Sequence, residues 1–480
     1  MSARLGPWRL LLVTALLMGS SAAWAGRHFP DWIEDPLDTR PPVLDTGSVL
    51  PGDVAPVPCP PQVDLTQPLS LEDAADVALC ANPRVRAAWA EIKIEAAALG
   101  QADSAYLPTL SGSYGRLKTR TTYPSSPLPG STVTGNLATA SLSWRIFDFG
   151  GRAADRSAAQ QSLMAALDSH DADLQKTLSD VAQAYFSLQM TEAELVARQE
   201  QVDLARQTLD ATRRREEHGA AAQSDTLQAQ TALAKAELSQ SRAGGDMQQA
   251  QAVLVAELAL PPGTQLATVK PPSGVAADYD RDLRDWLAVT ENHHPAILAA
   301  RAKWEAAKEK VVSARSEGLP TVDLTGYVYQ NGYPNLGLQT MRSLQSTIGI
   351  TVTFPIFSGF DQTYKIRGAQ AQAEQAQAQM EDTEQQVAME VVKAQAETQA
   401  AIGNLKASAE LLQSAELSVG SSQRRYEIGA ADILELLSTE SALADARQER
   451  IRAIAEFQSA RLRLMAGAGV LGFSALEQNP

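Results

Sequence analysis

NLATASLSWRIFDFG, residues 136–150, and its echo STIGITVTFPIFSGF, residues 346–360, decide how this chain is read. In the first, Ala138, Ala140, Leu142, Trp144 and Ile146 fall on one face of an extended chain and Thr139, Ser141, Ser143 and Arg145 on the other, because side chains alternate across a strand. In the second, Ile348, Ile350, Val352 and Phe354 oppose Thr347, Gly349, Thr351 and Thr353. Both stretches then meet a Phe and a Gly, after which the composition turns rich in Ala, Gln and Glu and becomes helical. A strand runs straight into a helix twice in one chain.

The landmarks around these junctions recur in order. ANPRVRAAWAEIKIEAAALGQADSAYLPTLSGSYG places Pro83 and Pro108 25 residues apart, as NHHPAILAARAKWEAAKEKVVSARSEGLPTVDLTGY places Pro295 and Pro320. Ile146-Phe147 answers Ile356-Phe357 at an offset of 210, and the same offset pairs Gly219 with Gly429 and Leu233 with Leu443. Such self-similarity marks a tandem duplication. The chain is therefore divided into a signal at 1–25, a Pro-rich leader at 26–68, a first repeat at 69–259, a linker at 260–282, a second repeat at 283–467 and a tail at 468–480. Each repeat reads as helix, strand pair, very long helix, tight break and second helix. The strand pairs fall near 107–147 and 320–357, the long helices near 151–217 and 359–428, and the second helices near 220–259 and 432–466. Leu107-Pro108 and Leu319-Pro320 stop the first helices, since the residue before Pro leaves helical geometry.

The N-terminus joins Arg4 and Arg9 to an apolar run, Leu10 to Met18, and an Ala23-Trp24-Ala25 cleavage pattern. That is a secretory signal, because the run falls short of the roughly 20 residues that span a bilayer. Its removal takes the net charge from −15 to −17, which argues against nucleic acid or anionic lipid as a partner. The two cysteines, Cys59 and Cys80, lie in the exported part, where a disulfide is expected and two buried thiols are the alternative.

Alternation of this kind usually marks a soluble half-buried sheet. Here twelve of the 26 aromatics lie in 106–149 and 319–360 and gather at strand ends, Tyr123, Trp144, Phe147 and Phe149 in one repeat and Tyr333, Phe354, Phe357 and Phe360 in the other. Interfacial girdles of outer-membrane barrels have that pattern. Four strands cannot close a barrel, whose smallest known form has about eight, so several chains must share one.

From Arg152 to Glu217 there is neither Pro nor Gly; at about 1.5 Å per residue such a helix extends roughly 100 Å. Leu174, Val181, Leu188, Leu195, Val202 and Leu209 recur every seven residues, as do Val391, Leu405, Leu412 and Val419 with one step skipped, so these rods supercoil left-handedly against neighbours. The second seam is mixed: Leu178 and Tyr185 give way to Glu192 and Gln199. Those polar residues either form a solvated outer face or line water inside a hollow bundle. The rods break at Gly219 and Gly429, and six residues later stand Asp225 and Glu435. Each acid is either a first-turn residue favoured by the helix dipole or, in a ring of identical chains, part of a ring of negative charge.

The duplicated NP…LPTL starts, the W/F-x-I-F-x-x-G junction and the RRYEIGAADILELLSTESALADAR turn together resemble the TolC family of outer-membrane efflux and type I secretion channels, over residues 69 to 467. The resemblance implies an α+β membrane protein. Its homotrimer shares a transmembrane β-barrel of four strands per chain, continued into the periplasm by a coiled-coil α-helical barrel. It implies a passive exit duct in the cell outer membrane, working with a periplasmic membrane fusion adaptor and an inner-membrane transporter, ABC or proton-driven. The tips around Gly219 and Gly429 would dock the adaptor, and Asp225 and Glu435 would face the periplasmic aperture. Members with two acids three residues apart in the second tip differ from this chain, which has Glu435 but Ser438. The ALCANP start after a Pro-rich leader is similar to members serving type I secretion of large toxins, small-molecule efflux being the alternative. No Walker, dinucleotide or metal motif is found, so no enzyme, cofactor or metal is expected, and the pair His293-His294 is not read as a metal site. A periplasmic adaptor or a trimeric coiled-coil surface protein would lack two internal strand pairs with aromatic ends.

Overall fold

The computed structural model describes residues 35–53, 55–57, 59, 67–124, 130–269, 282–331 and 343–473. The signal segment, Tyr333, much of the leader and linker and the end of the tail lie outside the described residues.

After a short turn of helix, α1 (Val43–Thr46), come α2 (Leu71–Ala81), α3 (Pro83–Ser104), β1 (Thr109–Thr121), β2 (Ser131–Phe147), α4 (Gly151–Glu217) and α5 (Gln223–Glu257). They are followed by α6 (Leu283–His293), α7 (Pro295–Ser316), β3 (Thr321–Asn331), β4 (Ser343–Thr353), α8 (Asp361–Glu427) and α9 (Ile433–Gly467). The paired helices have equal lengths: α4 and α8 are 67 residues each, α5 and α9 are 35. Local chemistry explains the starts. Pro83 and Pro295 occupy the first turns of α3 and α7, where the missing N–H costs nothing. The side chain of Asn82 accepts from Arg84 N at 2.9 Å and that of His294 from Ala296 N at 3.2 Å, capping the same two helices.

The sheet is antiparallel in the order β1-β2-β3-β4. Its register sorts the residues by face. Leu110, Leu142, Gly326 and Ile348 align across the four strands, as do Trp144, Leu324 and Ile350. On the other face Ser111 bonds Ser141 at 2.7 Å, Ser113 bonds Thr139 at 2.6 Å and Arg145 pairs with Asp323 at 3.1 Å. One face is apolar and exposed, with Leu110 78% and Ile348 75% accessible; the other is polar. β4 ends at Thr353 rather than near 357. Pro355 has no N–H to continue the ladder, whereas β2 runs on to Phe147 through an irregularity between Arg145 and Phe147.

Each junction turns on two consecutive residues of positive φ, Phe149 and Gly150 in one half and Gly359 and Phe360 in the other. At the first, Arg152 acts as a clamp. Its Nη1 donates to Arg145 O at 2.8 Å, its Nη2 to Ile146 O at 3.2 Å and its Nε to Asp148 at 2.9 Å, with the guanidinium 4.8 Å above Tyr106. This fixes the angle at which strand passes into helix.

The main core lies beside the middle of α4. Leu174, Leu178, Val181 and Leu188 pack there with Leu50 of the leader, Leu79 of α2, Leu254 of α5 and Leu462 of α9. Each fully buried Leu contributes about 1.5–3 kcal/mol. Elsewhere α4 pairs with α5 and α8 with α9 along narrow Ala-rich seams, and α7 packs against both α4 and α8. On the mixed seam of α4, Glu192 accepts from Thr268, and Gln199, which stays exposed, bonds Gln240 of α5.

Candidate functional site

Both α4 and α8 end in a tight turn at the end remote from the sheet. Gly219 and Gly429 have φ of +70° and +74°. Ala220 N donates to Arg215 O and Ala430 N to Arg425 O, each at 2.7 Å, while Gly219 N reaches Glu216 O at 2.8 Å and Gly429 N reaches Tyr426 O at 3.1 Å. This double bond pattern satisfies the last helical carbonyls and favours Gly at the left-handed position.

The two acids occupy matching places just beyond these turns. Asp225 accepts from Ala222 N at 3.3 Å and so closes the first turn of α5. Glu435 accepts from Arg425 Nη1 at 2.6 Å, while its own backbone N donates to the Asp432 cap at 2.8 Å. No hydrogen bond or ion pair joins Asp225 to Glu435 among the described residues. Ser438 is exposed one turn beyond Glu435.

Three contacts between the two hairpins were not singled out in the sequence. Arg215 of α4 stacks over the Tyr426 ring at 4.7 Å and donates to the Tyr426 carbonyl. Thr212 bonds the Tyr426 hydroxyl at 3.3 Å. Further from the tip, Thr208 Oγ1 donates to Glu440 Oε1 at 2.8 Å, a buried contact between α4 and α9. Burial pushes the Glu440 carboxyl up to about 7, against the lowering effect of the Thr208 hydroxyl. Glu440 was legible after all. It lies on the apolar stripe Ile433, Leu436, Leu443, where a carboxylate is out of place.

At the other end of the chain, Cys59 and Cys80 form a disulfide, which ties the leader to α2. His294 is the neutral cap of α7 already described, and burial pulls its imidazole down to about 4. Among the described residues no group of His, Cys, Asp and Glu could hold a metal, and no helix is long and apolar enough to cross a membrane.

An open sheet with one apolar face, carried on helices of 67 residues, defines a membrane-anchored channel subunit. The outer membrane efflux protein pattern matches residues 74–259 and 286–470, and the chain belongs to that family. It is 34% identical to Protein CyaE of Bordetella pertussis, over 91% of this chain and 92% of that one. It is 25% identical to the alkaline protease secretion protein AprF of Pseudomonas aeruginosa, over 85% and 86%. The outer membrane protein VceC of Vibrio cholerae has the same fold, with a TM-score of 0.74 at 21% identity over 83% of this chain and 96% of that chain. The protein is an outer-membrane channel component with a long periplasmic helical part.

Proposed function

We propose that three copies close one barrel, each lending its four strands, and that α4, α5, α8 and α9 continue it as a periplasmic tunnel. The reading rests on one observation above all: an open sheet whose apolar face is solvent-exposed and whose strands run directly into paired 67-residue rods. A single chain would leave that face and both sheet edges uncovered. Closure by identical copies removes the edges and presents the apolar face to lipid. The repeats at 69–259 and 283–467 supply two strands and two rods each.

The duct is passive and serves a type I protein secretion system, with energy supplied by an inner-membrane transporter. The likeness to AprF, an alkaline protease secretion protein, supports a protein cargo. Small-molecule efflux is the second reading, favoured by the family's own description. The tips around Gly219 and Gly429 are the docking points for a periplasmic adaptor, and Asp225 and Glu435 face the aperture. With Ser438 beside it and Arg425 bound to it, Glu435 is a weaker ring of charge than two successive acids.

Native mass of the detergent-purified protein and single-channel recording in a planar bilayer test this. A trimer with small cation-selective openings is the expected result. A monomer, or an oligomer that does not conduct, refutes the shared barrel.

A further inference from the structure

A cavity of about 500 Å³ opens between the leader, α2, α3 and α4, well away from the tips. That is within the range of small-molecule sites, roughly 300–1,000 Å³. Its walls are apolar: Val57 of the leader, Leu79, Val85, Trp89 and Leu174. The leader wall is held in place by the Cys59–Cys80 disulfide and by Asp53, which accepts from Phe473 N at 3.0 Å.

Two features of this cavity are polar. Arg86 and Lys93 stand two helical turns apart on α3, both at its mouth and both exposed. Neither has an ion-pair partner among the described residues, whereas nearby Arg84 is paired with Asp180 at 3.0 Å. In a chain of net charge −15, two unpaired cations beside an apolar hollow select an anion with an apolar body. The second feature is His170, only 2% exposed. Its Nδ1 lies 3.3 Å from Ser48 Oγ and 3.4 Å from an Asp171 carboxylate oxygen. A carboxylate only accepts, so Nδ1 carries a proton, and in the neutral ring Nε2 then presents a lone pair. Among the described residues Nε2 is buried without a partner. Folding has already stripped its water, so a hydroxyl brought against it gains a hydrogen bond at little added desolvation. The half-buried Trp89 ring lies 5.0 Å from the imidazole.

These residues are not demanded by the architecture. At the matching places of α7 and α8 the chain has Leu298 for Arg86, Arg301 for Trp89, Glu305 for Lys93 and Met380 for His170. The second repeat therefore lacks both of these cations, the indole and the imidazole at the matching places.

We infer that this cavity binds a small amphipathic hydroxy acid, its apolar body between Val57, Trp89 and Leu174, its carboxylate at Arg86 and Lys93, and, once the Trp89 ring turns aside, its hydroxyl on Nε2 of His170. The site is separate from the duct and does not depend on it.

The test is titration of the full chain in lipid nanodiscs with 6-hydroxy-2-naphthoate, followed by quenching of protein fluorescence. Saturable binding with a dissociation constant of roughly tens to hundreds of micromolar is expected for a ligand of this size. The surface double variant R86Q/K93Q should weaken it about tenfold or more, and reduction of the disulfide should weaken it by releasing the leader wall. 2-Naphthoate, which lacks the hydroxyl, should bind more weakly than the hydroxy acid to the wild type, and H170F should bind the two alike. No saturation by about 1 mM, or unchanged affinity in R86Q/K93Q, overturns the site. Persisting preference for the hydroxy acid in H170F overturns the assignment to Nε2. If H170F does not fold, R86Q/K93Q still decides. Channel conductance should be unchanged in R86Q/K93Q, so failure here leaves the duct reading intact.

Discussion

Replacing Glu440 with Gln should remove a pH dependence from the seam between α4 and α9. The carboxyl is buried, accepts from Thr208 at 2.8 Å and has its folded pKa near 7 against a free value of 4.5. Folding therefore favours its protonated form. The seam has its full stability below about pH 4.5, loses it as pH rises toward 7, and levels off above. At about 1.4 kcal/mol per pH unit between the two values, the loss comes to about 3.5 kcal/mol by pH 8. Other charged groups line the same gap: Glu194 and Arg198 of α4 and Arg447 of α9. Arg447 pairs with Glu200 at 3.0 Å and Arg198 donates to Gln201 at 2.9 Å, and among the described residues neither forms an ion pair with Glu440. Gln keeps an acceptor for Thr208 and carries no charge. Hydrogen exchange over residues 433–450, corrected for intrinsic rate, measures local opening. The wild type should lose about a hundredfold of protection between pH 5 and pH 8, and Glu440→Gln should lose little. Equal loss in the two proteins would refute the argument. If opening of the tip uses this seam, wild-type conductance rises over the same interval.

His294 runs with the opposite sign. Its folded pKa of about 4 lies below the free value of 6.5, so its contribution is full above pH 6.5 and is lost as pH falls to 4. His294→Asn, which copies the Asn82 cap of α3, should flatten the melting temperature across that range. Cys59→Ser should lower stability by about 3 kcal/mol, given a closed loop of 21 residues, and should leave Cys80 open to thiol reagents. Labelling of Cys80 in the oxidised wild type would contradict the bridge. Phe457→Ala empties a side chain that is 1% exposed between α8 and α9 and should cost about 3–5 kcal/mol, read by denaturant titration. Glu435→Ala leaves Arg425 without its carboxylate, so single-channel cation preference should fall; unchanged records would remove Glu435 from the aperture.

Periodicity carried most of the architecture. The strand alternation at 136–147 and the seven-residue repeat from Leu174 to Leu209 are local in sequence, and each follows from where one side chain points relative to the next. Gly219 and Gly429 were legible because a helix end needs a left-handed residue and few side chains tolerate it. The end of β4 was not placed correctly, since the alternation runs through Phe354 while Pro355 interrupts the ladder that alternation alone does not describe.

What the sequence determined by itself is the kind of protein, an outer-membrane channel component with four strands and long rods, because alternation and period are properties of the chain taken in order. What only the tertiary structure decided is which residues meet across the hairpins. Thr208 and Glu440 are 232 residues apart, and Tyr426 and Arg215 are 211 apart. Glu192 bonds Thr268 and Gln199, still exposed, bonds Gln240 of α5. Local pattern says which face of a helix is buried. It does not say which helix covers it or at what height, and those two choices set the charge of Glu440, the partner of Glu435 and the hollow beside His170.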